Sequence, residues 1–563
     1  MNKTVQKIVA FSWLFSIFLL IQQPISAFGQ NKTKPTNTFS NANIFYNIKK
    51  YGAKGDGKTL ATDAINKAIA AASAGGGGTV FFPAGTFLSF SIRLKSNITL
   101  YLDNGATILA ADPATDKGKY DSFEPNEFDK YQDFGHSHWK NSLIWGIGVE
   151  NVAILGQGKI DGKGLTRRSP GPQRPRTEGE TPTSMGGGSK TAIAPLGETA
   201  PLKEMEGLGT KAIALKLSKN ITLKDFTIFE GGHFALLATG VDNLTIDNLR
   251  VDTNRDGFDI DACRNVRISN SYVNTPNDDA IVLKSSYALG FNRATENVTI
   301  TNSQVSGFDL GTLLDGSLKT TQEFAPDKDR PTGRLKFGTE SNGGFKNITI
   351  SNINFVHCRG LAIETVDGGY IEDVSITNIT MRDILTAPIF IRLGKRQRAP
   401  EGTALAKIRR LNISNVVVSD AHSEYASIIA GLAESPIEDV RLSNIRIHYK
   451  GGGTTEDASR EPPENEKNYP EPSMFGVLPA YGFYIRHAKG ITFESVEVSF
   501  EKEDARPAFL LDDVKNVEFF RTNAELSNGA KMFNLKNVSN FSLFQSRNLA
   551  DRKIETVAAK TEF

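Results

Sequence analysis

The stretch NRDGFDIDACRNVRISNSYVNTPNDDAIVLKSS, residues 254–286, decides the fold. Its segment NVRISN alternates apolar and polar residues, which predicts a short β-strand. Variants of this segment recur along the chain, with starts at Asn243, Asn265, Asn297, Asn347, Asp373 and Asp439. Neighbouring copies begin 22 residues apart at 243 and 265, and 26 apart at 347 and 373. A strand in each copy, without amphipathic helices between copies, predicts an all-β chain folded as a parallel β-helix.

Two acidic clusters lie in the same stretch, Asp256 and the pair Asp278–Asp279, and they are 22 residues apart. One coil of a β-helix advances by one strand spacing, ~4.8 Å, so the clusters should be stacked neighbours. Crowded carboxylates repel, which raises the pKa of at least one and leaves another ionised. Glycoside cleavage requires such an acid and base. The alternative is a ladder of turn aspartates that binds backbone amides or calcium.

The composition excludes several classes of partner and cofactor. The 563 residues include 65 basic and 63 acidic ones, a formal net charge of +2, so nothing predicts binding to nucleic acid or insertion into a membrane. No cofactor motif appears, and no metal site of Cys and His ligands is predicted. We expect Cys263 and Cys358, the only cysteines, to be buried free thiols.

The N-terminus predicts export to the periplasm or the extracellular space. Lys3 and Lys7 precede an apolar run at 8–21, and Ala27 offers a small residue for cleavage. We therefore divide the chain into a signal peptide (1–27), a polar linker (28–43) and one β-helix domain (44–563). A short helix at 63–72, with Thr62 as N-cap, is expected to cover the first coil.

Three stretches interrupt the repeat, at about 112–140, 165–211 and 451–472. The first is rich in aromatic residues, the second in Pro, Gly and Arg, and the third in Glu and Pro. Long loops on a rigid scaffold tend to carry function. We expect the first two to form walls of a saccharide cleft, although the second can equally be a solvated insertion. Loops at both ends would close the cleft into a pocket and favour exo action.

Between about Tyr46 and Leu549 the sequence resembles the polygalacturonase family of glycoside hydrolases, family twenty-eight. The resemblance rests on YGAKGDG at 51–57, GGTVFFPAGTF at 77–87, NRDGFDI at 254–260 and NDDAIVLKSS at 277–286. It implies a right-handed β-helix that hydrolyses pectic polymers with inversion. It also implies that Asp256 and Asp279 activate the water and that Asp278 protonates the leaving oxygen.

The chain departs from the family where the family binds the uronate. Arg255 replaces the usual Thr, and 332–338 has no His where the family has Gly-His-Gly. Ala362 and Glu364 replace the family's Arg and Lys. The predicted substrate-binding residues are charged or imidazole side chains on matching faces: Arg255, His233, Lys284, Arg334, Lys336, His357, Glu364 and Arg392. We expect Glu364 to contact a neutral sugar hydroxyl or to pair with Arg334 or Arg392.

The leading hypothesis is an exported glycoside hydrolase that acts on acidic, uronate-containing pectic or algal oligosaccharides. The second is a lyase or dehydratase that performs β-elimination on a uronic acid, which needs a base and cations facing the carboxylate. A carbohydrate-binding or adhesive β-helix is the third, and the aspartate cluster argues against it. Heavy-oxygen water separates the first two, because only hydrolysis adds a labelled oxygen.

Overall fold

The computed structural model describes residues 45–167 and 202–563. The predicted signal peptide, the linker to residue 43 and most of the second interruption lie outside these described residues. The described part belongs to one compact unit, 43–563. Its strands stack in register from coil to coil in three parallel sheets. This is the parallel β-helix that the repeat predicts.

The first sheet, called here the site sheet, carries the acidic clusters at its edge. Its strands are Ile92–Arg93, Ile144–Ile147, Lys211–Lys216, Phe234–Thr239, Asp256–Asp261, Ile281–Lys284, Leu335–Phe337, Leu361–Thr365, Ile389–Leu393 and Ser427–Ala430. The sheet continues into the first residues of three longer strands, Phe483–Lys502, Phe509–Phe520 and Phe533–Phe544.

The other two sheets complete each coil. The second, called here the ladder sheet, begins with Phe45–Asn47, Gly78–Phe82, Ile98–Leu102, Glu150–Leu155, Lys219–Lys224, Asp242–Asp247 and Arg264–Ser269. The third contains Asp56–Leu60, Gly85–Ser89, Ala106–Ala110, Lys159–Asp161, Thr227–Phe229, Arg250–Asp252, Tyr272–Asn274 and Asn523–Ala524. Later coils join both sheets in single strands, Thr295–Ser306, Phe345–Cys358, Tyr370–Ile384, Lys407–Ala421 and Ile437–Gly451.

The core is a set of columns of apolar side chains inside the coils. In the site sheet, Ile260 pairs in register with Leu283, Leu283 with Phe337, and Phe337 with Ile363. All four are buried. The residues between them point outward, so the alternation seen in the sequence separates the core from the outer face. Both cysteines are buried and unbonded, which confirms the prediction of free thiols.

Asparagine ladders run along the ladder sheet. The amide of Asn243 donates to Asn220 (2.8 Å), that of Asn265 to Asn243 (3.1 Å), and that of Asn297 to Asn265 (3.1 Å). Each of these residues has a φ between 56° and 58°, in the left-handed region that Asn tolerates better than most residues. The recurrence of Asn at this position of the segment therefore reflects both a backbone turn and a side-chain ladder.

Both ends of the solenoid are covered. The helix Thr62–Ala74 buries Ile65, Ala68, Ile69 and Ala72 against the first coil. It begins one residue earlier than predicted, so Thr62 is not the N-cap; Ala61 occupies that position, and the Thr62 hydroxyl accepts from the Phe90 N–H (2.9 Å). At the other end, Arg552–Val557 and Thr561–Glu562 pair antiparallel with the last long strand.

The interruptions contain only short helices in their described residues. The remaining helical segments of the described chain are Ile48–Tyr51, Asp129–Tyr131, Phe134–Ser137, Leu202–Met205, Asp457–Ser459 and Pro472–Phe475. The third interruption continues past residue 472 to the next strand at Phe483. A further strand-free loop at 307–334, not identified from the sequence, separates two coils. None of the described helices is long and apolar enough to cross a membrane.

Candidate active site

The register of the site sheet brings the three aspartates together. Asp256–Asp261 pairs with Ile281–Lys284 of the next coil, and the Gly257 N–H donates to the Asp279 carbonyl (3.0 Å). Asp256 and Asp279 are therefore on adjacent coils, and Asp278 precedes Asp279 in the same turn. One carboxylate oxygen from each of the three residues lies within 4.8 Å of the others, as their separation of one coil predicts.

Asp279 is the ionised member of this cluster. It is buried, and it accepts from Arg334 Nε (2.8 Å) while Lys336 Nζ lies 3.3 Å away. Burial alone would raise the pKa of this carboxyl, but Lys336 and Arg334 outweigh that effect and hold the pKa of Asp279 well below its usual range. A carboxylate that stays ionised is suited to accept a proton from water.

Asp256 has the opposite environment. Its side chain is buried, and its Oδ1 has no hydrogen-bond partner among the described residues. Burial, together with the negative charges of Asp278 and Asp259, raises the pKa of Asp256 well above its ordinary value. This carboxyl therefore holds a proton where Asp279 does not, so one cluster contains both protonation states.

Asp278 is the accessible member, with 25% of its side chain exposed. Arg255, at the position where the resembled family has Thr, donates to Asp278 Oδ2 from Nη2 (2.7 Å) and from Nε (3.2 Å). The Asp279 N–H donates to Asp278 Oδ1 (3.1 Å). These contacts orient Asp278 at the opening of the cluster, where a bound sugar can reach it.

Glu364 lies behind Asp279 and is completely buried. Its carboxylate is 3.5 Å from Lys336 Nζ and 4.0 Å from Arg334 Nη1, yet neither of its oxygens has a hydrogen bond within the described structure. Burial raises the pKa of Glu364 to about 7, although Lys336 and Arg334 act in the other direction. Of the two arginines expected to pair with Glu364, Arg334 is the one that lies beside it.

The third interruption contributes two residues that the sequence analysis missed. Glu471 accepts two hydrogen bonds from the Arg334 guanidinium (2.8 and 2.7 Å) and lies 3.1 Å from Arg359 Nη1. The hydroxyl of Tyr469 accepts from Lys336 Nζ (2.8 Å). The abundance of Glu in this stretch was the only available signal, since pairing partners more than 130 residues apart leave no local pattern.

The first interruption closes the opposite side. His136 Nε2 lies 2.7 Å from Lys284 Nζ and 3.7 Å from Asp259, and Lys284 is 3.2 Å from Glu340. Burial opposes the charge on Lys284, but Asp259 and Glu340 outweigh it and raise its pKa. His136, Asp259 and Glu340 were not predicted as site residues, although His136 belongs to a stretch singled out for its aromatic and His residues.

His233 precedes the strand Phe234–Thr239, whose first residue pairs in register with Asp256. It is buried, and its ring contacts the ring of Phe234. Burial first, and then the charge of Arg255, lower the pKa of His233 well below its ordinary value. The structure therefore places a neutral imidazole beside the cluster, one coil towards the N-terminus.

Two predicted substrate-binding residues lie elsewhere. His357 bonds through Nδ1 to Asp383 (2.6 Å) and lines a separate side cavity of about 340 Å³. Arg392 is buried beneath the third interruption, where it donates to the carbonyls of Gly431 (3.2 Å) and Glu464 (2.8 Å). Arg392 lies on the site sheet, but the third interruption covers it. His357 lies at the end of Phe345–Cys358, a strand of the other two sheets. Neither belongs to the candidate site.

A cation such as calcium was the alternative use of the aspartates. Three carboxylates at this spacing are close enough to share an ion. However, Arg255 occupies one side of Asp278, and Arg334 and Lys336 occupy Asp279. These positive groups already neutralise the carboxylates and repel a divalent ion, so the geometry favours acid/base chemistry.

Comparisons with known proteins agree with the β-helix fold. Residues 45–154 match the family model described as "Rhamnogalacturonase A/epimerase, pectate lyase-like", and residues 203–317 match "Right handed beta helix region". A probable polygalacturonase of Vitis vinifera is 23% identical over 419 residues, covering 71% of this chain and 73% of the relative.

Two further relatives are named as exo-acting proteins. An exo-poly-alpha-D-galacturonosidase of Dickeya chrysanthemi is 29% identical over 254 residues, covering 41% of this chain and 40% of the relative. The Yersinia enterocolitica family 28 exopolygalacturonase structure has a TM-score of 0.60 at 20% identity, covering 84% of this chain and 78% of that one. The fold is therefore a right-handed parallel β-helix, and in sequence the chain is similar to polygalacturonases, which are glycoside hydrolases.

Proposed function

We propose that the protein is an exported, exo-acting enzyme that hydrolyses uronate-containing pectic polysaccharides by acid/base catalysis. The observation that carries this proposal is the meeting of Asp256, Asp278 and Asp279 within 4.8 Å. Opposite pKa shifts in Asp256 and Asp279 supply a protonated and an ionised carboxyl in one cluster. Hydrolysis of a glycoside needs both forms at the same time.

In this proposal Asp279 accepts the proton of the attacking water, with Asp256 beside it. Asp278 donates a proton to the leaving oxygen, since it faces the opening of the cluster and the family resemblance gives it that role. Because one oxygen of each carboxyl lies within 4.8 Å of the others, the proton held on Asp256 can be redistributed when the substrate binds.

The spacing of the carboxyls does not by itself assign the stereochemistry. Inverting pairs are usually ~6.5–9.5 Å apart and retaining pairs ~5–5.5 Å apart, whereas the nearest oxygens here are within 4.8 Å. Inversion is therefore proposed from the family resemblance alone. Proton NMR of the first product, recorded before mutarotation, tests it; a product with the substrate's own anomeric configuration would contradict inversion.

Exo action is proposed because loops close the site from two directions. His136 reaches Lys284 from the first interruption, and Glu471 reaches Arg334 from the third. A cleft blocked at both ends accommodates a chain end rather than the middle of a polymer. Product analysis at early times checks this: exo action releases one short product from the start, whereas a ladder of sizes indicates internal cleavage.

Turnover of a pectic polysaccharide extract in heavy-oxygen water tests the reaction itself. Hydrolysis adds one labelled oxygen for each bond cut, at the new reducing end. Asp279→Asn, a change of one atom in the proposed base, is the matched control and should lose the label at equal protein concentration. Label that continues to appear in this variant would exclude Asp279 as the base.

β-Elimination is the second candidate, and one observation favours it. Arg334 and Lys336 lie beside the ionised Asp279, which is the combination of base and cations that elimination requires. The same labelling experiment separates the candidates, because elimination yields an unsaturated product without label. The ultraviolet absorbance of the conjugated double bond would support this candidate.

Export is proposed from residues 1–27 alone. Expression of the full chain in a bacterium, followed by fractionation and N-terminal sequencing, tests the proposal. We expect a mature protein that begins near residue 28 in the periplasm or the medium. Full-length protein retained in the cytoplasm would contradict it.

A further inference from the structure

We infer that the sugar whose anomeric carbon is attacked in this site carries no free carboxylate, so that the enzyme cleaves beside a neutral sugar within an acidic polymer. This inference rests on the proposed hydrolysis and narrows its substrate. Water activated by Asp279 attacks the anomeric carbon, so this sugar is the one that lies against Asp279 and Lys336. The charges that surround that position decide whether it can hold a carboxylate.

The cations around Asp279 are already neutralised by protein carboxylates. Three buried basic residues face four carboxylates, namely Arg334, Lys336 and Arg359 against Asp279, Asp327, Glu364 and Glu471. If Glu364 is protonated, three cations face three anions. In neither state does the group have a positive charge left for a uronate.

The charges on the other side of the cluster are balanced in the same way. The basic residues Lys284, Arg396 and Arg398 meet the carboxylates Asp259, Glu340, Asp367 and Asp133. Lys284 is 3.5 Å from Asp259, and Arg398 Nη1 is 2.8 Å from Asp133. These lysine and arginine side chains therefore hold the first interruption in place and are not free to bind a substrate.

A uronate at this position would meet repulsion without compensation. Moving a carboxylate out of water is costly unless it is paired with a cation and hydrogen-bonded. Glu364 stands where the resembled family has a Lys. Ala362, in place of the family's Arg, packs in an apolar cluster with Phe390 and Phe475 and offers no donor. A sugar with a hydroxymethyl or methyl group at C5 avoids this cost.

Two lysines without a carboxylate ion pair lie on the strand that is two coils from Asp256, towards the N-terminus. Lys211 pairs in register with Phe234, and Phe234 with Asp256, so Lys211 is ~10 Å along the axis from Asp256. Lys216 lies on the same strand, with its amine 3.8 Å from the centre of the Trp139 ring. Within the described chain, neither forms a salt bridge. Lys211 is buried and its amine donates to the Thr210 hydroxyl (2.8 Å), so of these two lysines Lys216 is the one placed to meet a uronate of the same polymer at a distance from the cleaved bond.

The wild-type enzyme can test this inference directly. It is incubated in heavy-oxygen water with pure polygalacturonan and, separately, with a pectic polysaccharide that contains both uronates and neutral sugars. Mass-spectrometric sequencing then identifies the sugar that carries the label. We expect the label on a hexose or deoxyhexose, with release from polygalacturonan at least about tenfold slower, equivalent to ~1.4 kcal/mol.

Two other outcomes would overturn the inference, and they differ in what else they affect. Label mainly on hexuronate would overturn the neutral-sugar assignment and leave the proposed hydrolysis intact. No label from either polymer would overturn the proposed hydrolysis and this inference with it. Because these outcomes involve only the unaltered protein, the test does not depend on whether a variant folds.

A variant pair sharpens the result. Measured at pH 8, above the pKa of about 7 that burial gives Glu364, Glu364→Gln removes one buried negative charge, so we expect the ratio of rates, polygalacturonan over mixed polymer, to rise by about tenfold. The control is Glu461→Gln in the third interruption, where the side chain is 78% exposed and lies 3.5 Å from Lys536. An unchanged ratio in a folded Glu364→Gln protein, or an equal rise in the control, would contradict the role of Glu364.

Discussion

The ladder sheet and the outer face of the site sheet are built on the same coils but by different means. On the ladder sheet, successive coils from Asn97 to Asn347 repeat the same contact, an Asn amide bonded to the Asn one coil earlier, as in Asn297 to Asn265. On the site sheet, residues one coil apart have unrelated partners: Asp279 meets Arg334, and Arg334 meets Glu471, 137 residues away.

This difference shows how a solenoid acquires a catalytic site. The repeat fixes the backbone, and with it the ~4.8 Å spacing between coils. The site sheet then exchanges its outward residues for charged ones, and loops from both ends of the chain bury them. Stability on the ladder sheet is divided among many small, equal contacts. On the site sheet it is concentrated in a few buried ion pairs, so single changes should have larger effects there.

The largest effect is expected at the carboxyl that donates the proton. Asp278→Asn should slow turnover of a sugar–sugar bond by about 100- to 10,000-fold, because the departing oxygen then leaves without a proton. A dinitrophenyl glycoside, whose leaving group needs no proton, should lose less than about tenfold. Asp256→Asn should slow both substrates equally. Comparing kcat/KM for the four combinations checks this prediction.

There is also a physical reason to consider the opposite result, in which Asp256→Asn and not Asp278→Asn is rescued by the dinitrophenyl leaving group. The raised pKa of Asp256 gives that residue the proton in the free protein, and Asp278 is paired with Arg255. If Asp256→Asn is the variant rescued by the activated leaving group, Asp256 is the acid, and the role taken from the family resemblance is wrong.

The next effect concerns the ion pairs under the third interruption. Glu471→Gln removes the charge that Arg334 and Arg359 share. Leaving buried guanidinium groups without their partner should lower the free energy of unfolding by about 3–5 kcal/mol. Denaturant unfolding measures this loss. Glu461→Gln, in the same stretch but exposed, should change it by less than about 1 kcal/mol; equal losses in both variants would contradict a buried network.

A smaller effect should depend on pH. Because the pKa of Glu364 is raised from 4.5 to about 7 in the folded protein, its contribution to stability is full below pH 4.5 and is lost as the pH rises through 7. Glu364→Gln imitates the protonated form and does not titrate. The variant should therefore match the wild type at pH 4.5 and exceed it above pH 7, by at most about 3 kcal/mol.

The neighbours of Glu364 do not complicate this window. Lys336 and Arg334 have raised pKa values and stay charged, whereas the pKa of Asp279 is lowered, so it stays ionised. Unfolding curves of both proteins at several pH values provide the measurement. A difference that is constant from pH 4.5 to pH 8 would show that Glu364 does not titrate there.

The sequence was informative where structure repeats and uninformative where it does not. The parallel β-helix and the meeting of Asp256 with Asp279 follow from one spacing of about a coil, and the capping helix follows from the local pattern at 63–72. Glu471, Tyr469 and His136 come from loops with no period, so nothing local indicated which side chains they would meet. Arg392 was misplaced because register alone does not reveal that a later loop covers an outward position. His357 was misplaced because its strand, Phe345–Cys358, belongs to the other two sheets.

The smallest effect is expected on the ladder sheet, at Asn297, which has a φ of 58° and bonds to Asn265 and Asn347. Two substitutions separate the contribution of the side-chain hydrogen bonds from that of the left-handed backbone. Asn297→Gly loses only the side-chain hydrogen bonds, each worth ~1 kcal/mol or less at an exposed site, and keeps a backbone that tolerates positive φ. Asn297→Ala loses the same bonds and also places a Cβ in the left-handed region, at a further cost of about 1 kcal/mol. We therefore expect Ala to lower the free energy of unfolding more than Gly, with kcat unchanged in both. Equal losses would attribute the ladder's contribution to side chains alone, and a drop in kcat would mean that the two sheets are coupled more tightly than their contacts indicate.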